Sequence, residues 1–142
     1  MKYFSEQVNM PVVAFHAYDP SDYSLDTNQI LILTTVALNE GDGYDNVIGV
    51  FTAPVGGLYF FAAHVCNYAS LGGFYYEIVK DHTMIAKSAK YNSVNSDCGS
   101  VTVIVRMNKD ERVWIKCTSG NSNTQLYTST YKTSFLGLLM HK

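Results

Sequence analysis

Three cysteines, four histidines and a scatter of loop aspartates are the side chains with which this 142-residue chain could do covalent or metal chemistry. Cys66, Cys98 and Cys117 stand 32 and 19 residues apart, far from the C-x-x-C spacing that gathers zinc or runs a redox cycle. At least two are expected to be buried thiols packed as small hydrophobes. One bridge with a thiol left over is the alternative, and the spacing chooses none of the three pairings. His16, His64, His82 and His141 are scattered. His64 falls on a strand and reads as a packed, hydrogen-bonded histidine. His82, in the turn Asp81-His82-Thr83, reads as a polar residue at the surface, with ligand contact as the rival reading. No G-x-S-x-G elbow, P-loop, H-E-x-x-H or G-x-G-x-x-G is present, so no enzyme is expected.

The loops carry the remaining chemistry. Asp19, Asp22, Asp26, Asp42, Asp45, Asp81 and Asp97 lie in or beside them without EF-hand spacing. Asp19, Asp22 and Asp97 are the candidate calcium ligands, and no cofactor is otherwise required. Flat rings beside amides and hydroxyls suit sugars, which present apolar C–H faces fringed with hydroxyls. Tyr23, Asn67, Tyr68, His82, Tyr91, Asn92, Asn121 and Asn123 are therefore the expected ligand contacts. Tyr18, Tyr75, Tyr76 and Tyr127 read as sheet positions.

These loops need a scaffold, and composition says which. Charged residues make up 15% and aromatics 13%, with 11 tyrosines, the balance of a β-rich single domain large enough for its own core. A net charge of -2 without a run of Lys and Arg speaks against nucleic acid. No apolar stretch reaches the roughly 20 residues of a membrane helix, so no membrane insertion is expected. Residues 1–10 are read as a short arm or linker remnant ahead of a globular domain at 11–142. Met1 to Glu6 lacks the apolar core of a signal peptide, so secretion would require that signal to have been removed already.

Ten short strands are expected, at 12–18, 30–38, 47–51, 58–67, 74–80, 84–90, 100–107, 112–118, 125–130 and 134–140, forming two packed sheets. From Leu58 to Val65 the run is apolar on both faces. Val101, Val103 and Val105 alternate with Thr102, Ile104 and Arg106, while Leu136, Leu138 and Met140 back onto Phe135, Gly137 and Leu139. A monomer would leave one of those faces as an exposed apolar patch, so a homo-oligomer is expected.

One stretch combines a turn, two strands and their joining glycines: Tyr44-Asp45, then Gly49-Val50-Phe51, Pro54, and Gly57-Leu58-Tyr59-Phe60-Phe61 leading to His64. It resembles the signature of the globular C1q domain, every position of which is filled. Phe15 followed by Ala17 resembles the family's first strand. Val113-Trp114 after the turn Asp110-Glu111 resembles its apolar-strand hairpin, although the family has Gly-Asp there. Phe135 and Gly137 resemble the closing strand, with Ser134 directly abutting Phe135 and Leu138 replacing an aromatic.

The resemblance spans roughly residues 12–140. It implies an all-β, ten-stranded jelly-roll sandwich shared with the tumour necrosis factor superfamily and assembled as a homotrimer. By the same resemblance the protein would be secreted and extracellular, a lectin-like pattern-recognition protein of innate immunity binding glycans or lipopolysaccharide. Some relatives hold calcium at the trimer apex. In architecture the chain resembles the stand-alone C1q proteins of invertebrates, bivalve molluscs in particular. A signalling ligand gripping a receptor at trimer grooves is the alternative, and an extracellular structural or mineral-associated protein is a third reading.

Overall fold

A computed structural model of the chain describes residues 10–22, 25–67, 74–90, 97–118 and 133–142, with the backbone alone at Asn67, Phe74, Ala89, Lys90 and Asp97. The strands are β1 (Ala14–Pro20), β2 (Leu33–Glu40), β3 (Tyr44–Asp45), β4 (Val50–Thr52), β5 (Gly57–Asn67), β6 (Phe74–Lys80), β7 (Thr83–Lys90), β8 (Asp97–Met107), β9 (Arg112–Cys117) and β10 (Ser134–His141). Among the described residues there is no helix. Two five-stranded antiparallel sheets run in the orders β2-β1-β10-β5-β8 and β3-β4-β9-β6-β7. The first and last long strands are neighbours, and the chain crosses between sheets after β2, β4, β5, β7, β8 and β9, which makes a jelly roll.

Alternation builds the core. Phe15, Tyr59, Phe61, Phe135 and Leu139 point inward from the first sheet and meet Phe51, Ile78, Val113 and Ile115 from the second, all buried. The rings of Phe15 and Tyr44 stack at 4.9 Å, and Phe15 lies 4.9 Å from Phe51 and 5.0 Å from Phe135. The aromatics of the motif are therefore one stack that joins the two sheets. Gly137 sits between two of these rings, where a Cβ would lie 2.6 Å from both Phe15 and Phe61.

Several boundaries differ from expectation. The strand expected at 47–51 is instead a turn followed by β4. Asp45 Oδ1 accepts the Val47 N–H at 2.8 Å, the Asp45 carbonyl accepts the Gly49 N–H at 2.8 Å, and Gly49 takes φ of +77°. This local hydrogen bonding overrides the β propensity of Val47 and Ile48, which stay exposed. Ile30 makes only an isolated bridge to Lys116 ahead of β2. The expected strand at 125–130 lies outside the described residues.

The turn Asp110-Glu111 joins strands of different sheets, so it is a crossover and not the expected hairpin. Asp110 supplies the left-handed residue itself, with φ of 73°. Glu111 braces the turn, accepting the Asn108 N–H at 2.6 Å and lying 3.3 Å from Lys80 Nζ. The Asn108 N–H, and then Lys80, hold its carboxyl below the ordinary range.

The expectation of two buried thiols is corrected. Cys66 and Cys98 form a disulfide, and only Cys117 stays outside it, buried. Strand β8 begins at Asp97, earlier than the polar composition of that region suggested, and the ladder sets Cys98 directly opposite Cys66 on β5. Asp97 is likewise placed in a strand, opposite Asn67, and not in a loop.

Candidate functional site

The outer face of the second sheet carries an apolar row where polar residues are the rule. Val50, Trp114 and Val79 are cross-strand neighbours on β4, β9 and β6, and they form a small buried cluster with Ile30 packed against it. Ile30 arrives because residues 28–31 run alongside β9. The Asn28 N–H donates to the Cys117 carbonyl at 2.7 Å and the Leu31 N–H to the Ile115 carbonyl at 2.9 Å.

His82 closes the other side. It lies in the two-residue turn between β6 and β7, where Asp81 has φ of 45° and His82 φ of 73°. Such turns ordinarily use Asn-Gly, since a side chain in the left-handed region costs about 1–2 kcal/mol. Asp81 secures this one, accepting the Arg112 N–H at 3.2 Å while its own N–H donates to the Arg112 carbonyl at 2.9 Å. The strained turn sets the His82 ring edge-on to Trp114, centroids 5.1 Å apart.

Together Asn28, Ile30, Val79, His82, Trp114 and Lys116 line an open depression of about 280 Å³. That volume is just under the roughly 300–1,000 Å³ of ordinary ligand pockets, room for no more than a small group. Its floor is apolar and aromatic. Its rim offers an amide, an imidazole and an ammonium, and Lys116 Nζ stands 3.7 Å from Glu77 on the neighbouring strand. Strained backbone placing an aromatic pair over a depression is a pattern met at ligand sites.

Of the residues expected to contact ligand, His82 is at this depression. Asn67 ends β5, and Tyr23, Tyr68, Tyr91, Asn92, Asn121 and Asn123 lie outside the described residues. Asp19 belongs to β1, where its Oδ2 accepts the Thr35 hydroxyl at 2.7 Å. Asp22 Oδ2 accepts Gln29 Nε2 at 3.0 Å. Among the described residues neither belongs to a group of three metal-type donors.

Asn28, Ile30 and Lys116 were missed as site residues, and Trp114 was read as structural. One signal was legible: on β9 the period-2 pattern puts Trp114 on the same face as Arg112 and Lys116, an aromatic on a charged face.

Comparison with known proteins bears on this arrangement. The family model described as "C1q domain" matches residues 14–140. The chain belongs to the C1q domain family. This C1q domain is 26% identical over 109 residues to complement C1q tumor necrosis factor-related protein 3 of Mus musculus, covering 76% of the chain and 44% of that protein. It is 29% identical over 104 residues to the related protein 5 of Homo sapiens, covering 72% and 40%. The chain thus spans less than half the length of these relatives. Among solved structures, the globular domain of zebrafish complement 1qA protein superposes with a TM-score of 0.78 at 19% identity, over 92% of this chain and 98% of that one. Eiger TNF of S. frugiperda superposes at 0.73 with 11% identity, covering 92% of each chain. Murine APRIL superposes at 0.72 with 11% identity, covering 91% and 99%. The C1q and TNF-like sandwich is therefore the fold of this chain.

Proposed function

We propose that this C1q domain is an extracellular, lectin-like pattern-recognition module of innate immunity, a homotrimer that binds glycans or lipopolysaccharide of microbial surfaces, with no catalytic step. The observation that carries the reading is the depression at Trp114 and His82, an apolar aromatic floor ringed by Asn28 and Lys116. His82, exposed and backed by the buried Trp114, gives an edge for sugar C–H groups, and the Lys116 ammonium favours a carboxylate or phosphate on that sugar.

Assembly supplies the strength. Outward on the first sheet, Ala14, Leu138, Phe60 and Ile104 form one cross-strand row, with Leu138 41% and Ile104 56% exposed. Covering that row in a trimer removes an apolar patch from water. The depression is on the opposite sheet and stays open when this face is covered. Three weak sites on one body raise avidity by roughly 10² to 10⁴ on a repeating target. The Cys66–Cys98 disulfide agrees with an oxidising, extracellular setting.

The test is a glycan and lipopolysaccharide array probed with the purified protein, in calcium and in chelator. Binding to acidic glycans that survives chelator is expected, as is a weakening of roughly tenfold in Lys116→Gln, the loss of one charge-assisted hydrogen bond. Loss in chelator alone would move recognition to calcium-bearing loops. A blank array with an intact trimer would refute the lectin reading in favour of a protein receptor.

A further inference from the structure

The outward face of the first sheet changes character along β5. Its apolar row at Phe60 gives way to a polar row in which Tyr18, Ser134, His64 and Ser100 are successive cross-strand neighbours. The next outward pair is the disulfide Cys66–Cys98. Here His64 faces both ways: Nδ1 lies 2.6 Å from Ser100 Oγ and Nε2 lies 3.3 Å from Cys66 Sγ. The ligating atoms of His64, Cys66 and Cys98 all lie within 4.8 Å of one another, the one group of three metal-type donors among the described residues.

We propose that the Cys66–Cys98 disulfide guards a latent site for a thiophilic d¹⁰ cation, Zn²⁺ or Cu⁺, which opens when a dithiol reduces the bridge. The step balances. The S–S bond accepts two electrons and two protons from the dithiol, which becomes its own disulfide, and metal binding then releases the protons of Cys66 and Cys98.

Geometry supports each part of this. Two sulfurs on one zinc stand about 3.8 Å apart, and a sulfur and an imidazole nitrogen about 3.5 Å, from the usual bond lengths and a tetrahedral angle. The His64 to Cys66 distance is already close to that value, so only the two sulfurs must part. The strands do not depend on the bridge to stay together, because β5 and β8 pair continuously from Gly57 with Met107 to Asn67 with Asp97. Cys66 has a second anchor: its N–H donates to Thr133 Oγ1 at 3.0 Å, and that hydroxyl is wholly buried.

Ser100 provides for both states. Beside the disulfide, Nε2–H donates to sulfur and Nδ1 accepts the Ser100 hydroxyl. With a cation on Nε2 the proton moves to Nδ1 and the same hydroxyl accepts it, the outer-sphere hydrogen bond that metal-bound histidines ordinarily make. Two thiolates with one imidazole select soft cations over calcium or magnesium.

The test is a Co²⁺ titration of the full chain, oxidised and after dithiol reduction with anaerobic removal of the reductant, followed by competition with Zn²⁺ and Cu⁺. The reduced protein is expected to take one Co²⁺ per chain with a thiolate-to-metal charge-transfer band, and either competitor should displace it. The oxidised protein should take none there. His64→Gln, which leaves the bridge intact, should weaken binding at least tenfold, and Ser100→Ala by about tenfold. Equal binding by the oxidised form, no charge-transfer band after reduction, an unaffected His64→Gln variant, or loss of the β-sheet circular dichroism on reduction would each overturn the proposal.

Discussion

Replacing Gly137 with alanine puts one methyl group between two rings that are already held on every other side. Its Cβ would stand 2.6 Å from Phe15 Cε1, 2.6 Å from Phe61 Cδ1 and 2.7 Å from Phe61 Cε1, where carbon contacts are comfortable at about 3.5–4.0 Å. Phe15 cannot yield, since it is stacked on Tyr44 and Phe51 and edged by Phe135. Phe61 cannot either, being packed on Phe51, Tyr59 and Phe135. Overpacking of this kind costs about 1–3 kcal/mol, and two immobile rings argue for the upper end. Against it stands a gain of about 0.4–1 kcal/mol from stiffening the unfolded chain, fully available because Gly137 is not in a left-handed conformation. The net loss is about 2 kcal/mol, or a fall in Tm of roughly 4–8 °C for a chain of this size. Thermal circular dichroism at one fixed chain concentration measures it, since self-association makes Tm depend on concentration. A Tm within about 1 °C of the parent would refute the reasoning. So would strict additivity with Phe61→Leu, which should relieve the overlap and couple to it.

Three further outcomes are expected. Gly57→Val should abolish soluble folding, because a Cβ there meets the His141 carbonyl and Leu139 at 2.6 Å; normal expression would mean that β10 can shift aside. Ile104→Lys combined with Leu138→Lys should give a folded monomer in sedimentation velocity, and an unchanged oligomer would place the interface elsewhere. Burial, with the Asp45 charge adding to it, raises the Tyr44 hydroxyl to about 12, and burial raises those of Tyr59 and Tyr76 as well. The folded state therefore holds these protons more tightly than the unfolded one. Their contribution is whole below pH 10 and is lost as pH climbs through each raised value, about 12 for Tyr44, which alone accounts for about 2–3 kcal/mol. Absorbance at the phenolate band should show these rings ionising together with alkaline unfolding, and their titration in a folded chain would contradict the assignment.

The motif aromatics were legible because each is fixed by local pattern: alternation puts Phe15, Tyr59, Phe61 and Phe135 on one face of their strands. The turn at Asp45 showed as a motif, yet its place was misread as strand, since the sequence of Val47 and Ile48 favours β and the competing Asx hydrogen bonds are set by geometry. The depression was hardly legible at all. Asn28, His82 and Trp114 are far apart in the chain, and only the segment alongside β9 and the strained β6–β7 turn bring them to one depression.

By itself the amino-acid order determined the sandwich, its aromatic stack and the double-sided apolar strands that call for self-association, because alternation and turn chemistry act over a few residues. Tertiary structure alone decided the Cys66–Cys98 pairing, the proximity of His64 to that bridge and the meeting of His82 with Trp114. These depend on the register between strands and on left-handed turn residues. A register shift of one position would move every one of those side chains to the other face.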